Sequence, residues 1–259
     1  MSPRTIRLDL EYDGTDFAGW QIQARGRTVQ GELARALRGL LREPVTPVGS
    51  GRTDAGTHAL GQVAHFRTGA DLPPERIRRA LNSLLPADIS ITSAAEAADD
   101  FHARYSAVSK RYRYRIATRK TAVERRWVWT FQRSLDFDLM TTAAAGIAGT
   151  HDFRAFCNQH PVPDNFSCTV LDCGWERRGQ EMRFEIEANR FLRHMVRIIV
   201  GTLVEIGLAK RPPDLAASLQ GQSEGNAGPR EVRALAGPTA PAMGLCLMAV
   251  NYPEEIPPV

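Results

Sequence analysis

Thr5-Ile6-Arg7-Leu8-Asp9-Leu10-Glu11-Tyr12 alternates without a break. Ile6, Leu8, Leu10 and Tyr12 point one way and Arg7, Asp9 and Glu11 the other, the period of a strand with one buried face. Beyond it the chain turns at Asp13-Gly14-Thr15-Asp16 and passes through a loop, residues 17–23, that holds Trp20. Thr28 then caps a helix with Val29, Leu33, Leu37, Leu40 and Leu41 along one side. A short apolar strand follows at residues 45–48, a glycine-rich loop at 49–58 and another strand at 63–66. Pro73-Pro74 opens a second helix through Ile77, Leu81, Leu84 and Leu85. Residues 89–93 close the set, and the order is β-α-β-β-α-β.

After a connector at 99–109 the same order returns. Residues 110–117 form a strand with Tyr112, Tyr114 and Ile116 on one face and Arg111, Arg113 and Arg115 on the other. A helix is expected at 137–148, strands at 168–175 and 182–188, and a long helix at 191–208. A short helix and a Gly/Pro-rich loop fill 211–241. The last strand, 245–252, is apolar on both faces, as a central strand is. The expectation is an α+β protein of two ferredoxin-like (βαββαβ) halves, residues 1–105 and 106–259. They are joined through a largely antiparallel mixed sheet with helices on one side.

At 259 residues the chain can bury a sizeable core. Its 43% hydrophobic and 24% charged residues are ordinary for a globular protein. Net charge is +4, and the basic residues are nearly all arginine, with Lys110, Lys120 and Lys210 the only lysines. Arginine suits bidentate phosphate contacts and stacking on bases. Cys157, Cys168, Cys173 and Cys246 form no C-x-x-C pair and no secretory signal precedes them, so reduced thiols and a cytoplasmic location are expected. The most apolar stretch, 196–208, carries Arg197 and Glu205 and is too short to span a membrane.

The loop between the two short strands reads Gly49-Ser50-Gly51-Arg52-Thr53-Asp54-Ala55-Gly56-Thr57-His58. Its glycines allow tight turns and close approach of a ligand to one carboxylate, Asp54; a plain surface turn has the same composition. The spacing of Gly51 and Gly56 matches a phosphate-binding P-loop, but Thr57-His58 stands where that motif needs Lys and Ser/Thr. His58 and His65 lack the close spacing of metal ligands, and no cysteine is near. Lys110-Arg111-Tyr112-Arg113-Tyr114-Arg115 interleaves cations with aromatics. Such a strand can meet phosphates with one face and stack a base on the other, or turn its tyrosines into a core. In Phe101-His102-Ala103-Arg104-Tyr105-Ser106, His102 and Arg104 are candidates for RNA contact. In Arg190-Phe191-Leu192-Arg193-His194-Met195-Val196-Arg197, Arg197 is followed by Ile198, Ile199 and Val200. A guanidinium in an apolar run needs a partner, and Asp54, which must stay ionised to act, is the natural one.

Taken in order, these motifs resemble the tRNA pseudouridine synthase A family along nearly the whole chain. Tyr12-Asp13-Gly14-Thr15 with Gly19-Trp20-Gln21 is similar to that family's first strand and loop. Gly51-Arg52-Thr53-Asp54-Ala55-Gly56 is similar to its catalytic loop. Phe101-His102-Ala103-Arg104 and Arg111-Tyr112-Arg113-Tyr114 match its middle, His194-Met195-Val196-Arg197 its long helix, and Ala240-Pro241-Ala242 with Gly244-Leu245 its last strand.

The resemblance implies an isomerase that converts uridine to pseudouridine at positions 38, 39 and 40 of the tRNA anticodon stem-loop. It implies Asp54 as nucleophile, Arg52 in the gap left by a flipped base, and Tyr112 stacking on the base and moving the C5 proton. Attack at the base and attack at the sugar are both compatible with these residues. Arg197 would pair with Asp54, and His58, His102, Arg104 and Arg111 would contact RNA. The expected partners are tRNA and a second copy of the chain, with no metal, cofactor or membrane. The chain departs from the family pattern twice: Thr57 stands where the family usually has Val, and residues 157–172 lack its serine-rich run ending in Arg. Two other classes fit parts of the sequence, a non-catalytic RNA-binding protein and a metal-dependent phosphoesterase using Asp13, Asp16 and Asp54.

Overall fold

The structure, a computed structural model, describes residues 3–158, 165–219 and 229–253. The described chain forms two compact units, one of residues 1–110 with 246–259 and the other of residues 111–245. Chain order thus places the last strand in the second half, whereas packing places it with the first unit.

The first unit is built on β1 (Arg4–Tyr12), whose inward residues Ile6, Leu8 and Leu10 are fully buried. It pairs antiparallel on one side with β3 (His58–Thr68) and on the other with β4 (Ile89–Ala97), in registers that set Ile6 against Phe66 and Leu8 against Ala94. The short β2 (Val48–Gly49) pairs antiparallel with β3; it starts three residues later than the expected strand at 45–48 and ends one later. Helix α1 (Val29–Leu41) starts where Thr28 accepts a hydrogen bond from Gly31 N, and it buries Val29, Leu33 and Leu37. Helix α2 (Pro74–Leu84) opens on Pro74 and buries Ile77 and Leu81. The last strand, β10 (Leu245–Asn251), runs parallel to β3, with Cys246 opposite His58 and Leu247 opposite Ala59. Gly61 makes that approach possible: a Cβ there would lie 2.4 Å from the Met248 carbonyl oxygen.

The second unit has strand order β5-β9-β8-β7, from β5 (Ser109–Ala117), β9 (Glu181–Ala188), β8 (Ser167–Arg178) and β7 (Gly149–Asp152). A two-residue β6 (Trp129–Thr130) runs parallel to the end of β5, while β7 and β8, and β8 and β9, pair antiparallel. Neither β6 nor β7 has a period in the sequence, because each is too short to show one. Helix α3 (Phe137–Ala145) is capped by Asp136 and ends at Ala145, three residues before the sequence pattern suggests. Helix α4 (Met195–Gly207) is apolar nearly all round and almost wholly buried. It starts at Met195 rather than at 191, because His194 sits at φ 65°, a left-handed conformation that a helix interior does not accept. Gly201 and Gly207 let neighbours close on α4; a Cβ at Gly201 would lie 1.8 Å from the Pro238 carbonyl oxygen. The short helices α5 (Ala216–Leu219) and α6 (Pro229–Ala234) occupy the expected short-helix region. Residues 220–228 of the expected Gly/Pro-rich loop, and 159–164 of the atypical 157–172 segment, lie outside the described residues.

The architecture is α+β and its strand pairing is mixed and largely antiparallel, as the element order predicts. No helix of the described residues is long and apolar enough to cross a membrane.

Candidate active site

The glycine-rich loop is fixed from beneath by a buried polar network. Ser50 N donates to Val63 O at 2.7 Å, and Ser50 Oγ donates to Gln62 Oε1 at 2.7 Å. Gln62 Nε2 donates in turn to Gly51 O (3.1 Å) and to Tyr12 Oη (3.3 Å). Tyr12 Oη shares a hydrogen bond of 2.8 Å with Thr53 Oγ1. Ser50, Gln62, Thr53 and Tyr12 are all buried, and burial keeps the Tyr12 phenol protonated. A satisfied network in a dry interior holds its geometry. The residues on either side of Arg52 are therefore anchored while Arg52 itself is exposed.

The neighbouring loop supports the other end. Trp20 N donates to Thr53 O (3.1 Å), and Gly56, at φ 76°, donates from its N to Phe17 O (3.3 Å). Thr57 N closes a turn on Asp54 O at 3.1 Å, leaving the Asp54 side chain half-buried at the turn. Gly14 is required here, since a Cβ on it would lie 2.0 Å from Thr57 O. His58 is buried beneath the loop, and its Nδ1 accepts from Gly14 N at 3.1 Å. The same nitrogen lies 3.1 Å from Asp13 Oδ1. The His58 ring therefore sits between the Gly14 amide and the Asp13 carboxylate and props the loop from below. Asp13 also accepts from Thr15 N (3.0 Å) and Thr15 Oγ1 (2.6 Å).

Cations border the loop. Arg52 and Arg104 are exposed, and the Lys110 stem lies against Gly51, where an added Cβ would be 3.4 Å from its Cε. Burial, then the nearby Arg104 charge, lower the Lys110 pKa. His102 accepts from the backbone N of Arg104 and of Tyr105, both at 3.2 Å, and its ring stacks on exposed Tyr105 at 4.3 Å. Its other neighbour is His65 at 4.6 Å, whose pKa falls through burial and the facing His102. Lys110, Tyr12 and Gln62 are not among the site residues expected from the sequence, although Lys110 and Tyr12 stand in motifs quoted there. Lys110 was visible as part of a basic strand, but its place beside Gly51 follows from tertiary packing.

In the second unit, Tyr112 is 7% exposed, with its ring edge-on to Phe191 at 5.0 Å. Tyr114 is fully buried and donates to Pro241 O at 2.7 Å. Along the opposite face of β5 the arginines are ion-paired. Arg111 pairs with Glu187, Arg113 with Glu185, and Arg115 with Glu181 and Glu124, at 2.6–2.7 Å. Three of those glutamates come from β9, so the cation row is neutralised across the strands. Arg197 sits half-buried between buried Val196 and Ile198, and its Nε donates to Ala240 O at 2.8 Å. Ala240 N returns a hydrogen bond to Arg197 O at 3.0 Å. Thus Arg52, Asp54, His58, His102 and Arg104 belong to the first unit, and Arg111, Tyr112 and Arg197 to the second. Among the described residues no group of three His, Cys, Asp or Glu could hold a metal ion, and Asp13, Asp16 and Asp54 form none.

The model of the tRNA pseudouridine synthase family matches residues 10–106 and 143–253, which include the whole anchored loop and α4. The chain belongs to the tRNA pseudouridine synthase family. Curated relatives agree. A tRNA pseudouridine synthase A of Moorella thermoacetica is 47% identical over 252 residues, covering 95% of this chain and 99% of that protein. Those of Acetivibrio thermocellus (42% identical; 96% and 100% covered) and Halalkalibacterium halodurans (44%; 93% and 90%) carry the same name. The chain is accordingly an isomerase acting on uridine in tRNA. Tyr112 lies in the segment between the two matched stretches, 107–142.

Proposed function

We propose that this isomerase converts uridine to pseudouridine at positions 38, 39 and 40 of the anticodon stem-loop of tRNA, with Asp54 as nucleophile. The observation that carries this reading is the anchored loop, which presents one half-buried carboxylate beside one exposed guanidinium. A uridine inside a stem must leave the stack to be attacked, and Arg52 fills the space it leaves. Asp54 forms a covalent adduct while the C1′–N1 bond breaks and C1′–C5 forms. The proton lost from C5 balances one gained at N1, so the reaction needs no cofactor. Tyr112 stacks on the base and carries the C5 proton, and Arg197 supplies the charge that keeps a carboxylate ionised near an apolar base.

In this reading the half of residues 1–105 contributes the nucleophile and the half of 106–259 the stacking strand. His102 and Arg104 meet the RNA, and the enzyme works in the cytoplasm as a homodimer. The test is pseudouridine mapping on bulk tRNA from a deletion strain. Pseudouridine at 38–40 should disappear, return with the wild-type gene and not return with Asp54→Asn. Unchanged modification at these positions in the deletion strain would overturn the assignment.

A further inference from the structure

The second unit contains an open cavity of about 310 Å³ that none of the candidate site residues lines. Its walls include Thr118 just past β5, Gln132, Arg133 and Ser134 beyond β6, and Arg177 and Met182 from β8 and β9. The volume is enough for a phosphodiester group with its sugars. The two arginines differ from their neighbours. Arg113, Arg115, Arg178 and Arg183 each lie within 2.8 Å of a glutamate oxygen. Arg133 and Arg177 are exposed and, among the described residues, have no carboxylate partner. Gln132 and Ser134 add neutral hydrogen-bonding groups between them.

The surroundings favour a polyanion over a small ion. Residues 118–133 carry exposed Arg119, Lys120 and Arg125 in addition to Arg133. Their one acid, Glu124, is already held by Arg115 at 2.6 Å. Exposed Val123 (81%) and Trp127 (39%) lie among these cations. The positive field therefore extends well beyond what one phosphate fills. Thr118 lies six residues past Tyr112 in nearly extended chain, roughly 20 Å away along the strand direction. A phosphate in the cavity therefore belongs to a different nucleotide from one stacked on Tyr112.

We infer that this cavity seats a backbone phosphodiester of the RNA substrate, several nucleotides away from the base that reacts. The inference rests on the tRNA reading above and gives it a second point of contact. The experiment compares wild type, the double variant Arg133→Gln/Arg177→Gln and the corresponding double lysine variant. All positions are on the surface, and circular dichroism checks folding. tRNA affinity is measured between about 50 and 200 mM salt, with the single-turnover rate at saturating tRNA. The glutamine variant should bind tRNA about tenfold or more weakly, and its log–log salt slope should be shallower by about 1 to 2. Its saturated rate should match wild type, and the lysine variant should recover much of the affinity.

Unchanged affinity and slope in the glutamine variant, alongside a wild type that forms pseudouridine, would overturn the cavity assignment alone. Weakened tRNA binding with a wild type that forms none would uphold the contact and overturn the functional reading instead. Inorganic phosphate, titrated and followed by ³¹P resonance, separates the other source. Phosphate binding that the variant abolishes, with tRNA affinity intact, would make this a site for a free phosphate and overturn the RNA contact.

Discussion

Asp54 and Thr57 lie three residues apart on one loop and lead to opposite expectations. Replacing Asp54 with Asn removes the proposed nucleophile and leaves a side chain of the same size. Turnover should fall by several powers of ten, a barrier increase of about 5 kcal/mol or more, while tRNA binding persists. Single-turnover conversion with a parallel binding titration checks this, and a tenth of wild-type rate remaining would reject Asp54 as nucleophile. Thr57 is 1% exposed and, among the described residues, its hydroxyl has no hydrogen-bond partner. A buried, unsatisfied hydroxyl costs stability, and valine has the same shape without it. Thr57→Val should therefore raise unfolding stability by about 1–2 kcal/mol in a urea titration. The departure from valine was legible in the sequence. That it strands a hydroxyl was not, because satisfaction depends on which backbone groups come within reach.

Two elements of the second unit allow sharper tests. The segment 237–240 is clamped along α4: Gly237 N donates to Thr202 Oγ1 at 2.8 Å, and Arg197 and Ala240 exchange hydrogen bonds. Gly201 leaves room for the Pro238 carbonyl. Gly201→Ala should destabilise by about 1–3 kcal/mol through overpacking. It should also cut turnover, by shifting Ala240 off Arg197; a stability loss with full single-turnover rate would separate the clamp from the chemistry. On β9, Glu181 sits between Arg115 and Arg183 at 2.7 and 2.6 Å and is 16% exposed. Hydrogen bonds from Arg115 and then Arg183 hold its pKa down at about 2. The folded-state value lies below the ordinary one, so the pair stabilises fully above about pH 4.5 and loses its contribution as pH falls toward 2. Glu181→Gln should cost about 2 kcal/mol at neutral pH, and the difference from wild type should vanish near pH 2. A difference independent of pH would assign the loss to packing. The alternation of arginines along β5 was plain in the sequence; their pairing with β9 was not, because it depends on the register of strands about seventy residues apart.

Across the whole molecule, net charge +4 and the dominance of arginine favour a polyanionic substrate. Affinity for tRNA should fall steeply with salt as bound counterions are displaced, by a factor of about 10³ or more between 50 and 200 mM if six or more phosphates are contacted. Filter binding across that range checks it, and a flat profile would argue for a small footprint. The α+β class, the order of long strands and helices, and the identity of the glycine-rich loop were all set within short windows of sequence. Period-2 and period-3.6 burial and helix capping act between residues a few positions apart. The partners of those elements were decided over longer distances. Tyr12 and Gln62, fifty residues apart, jointly hold the Asp54 loop. The last strand joins β3 of the first unit because Gly61 lets its backbone come close, although its own apolar pattern fits any central position. The cavity between Arg133 and Arg177 likewise exists only once β5, β8 and β9 have met. A strand's neighbours supply its hydrogen bonds but leave no mark on its own periodicity, so sequence alone determined what each segment becomes and tertiary packing determined what it meets.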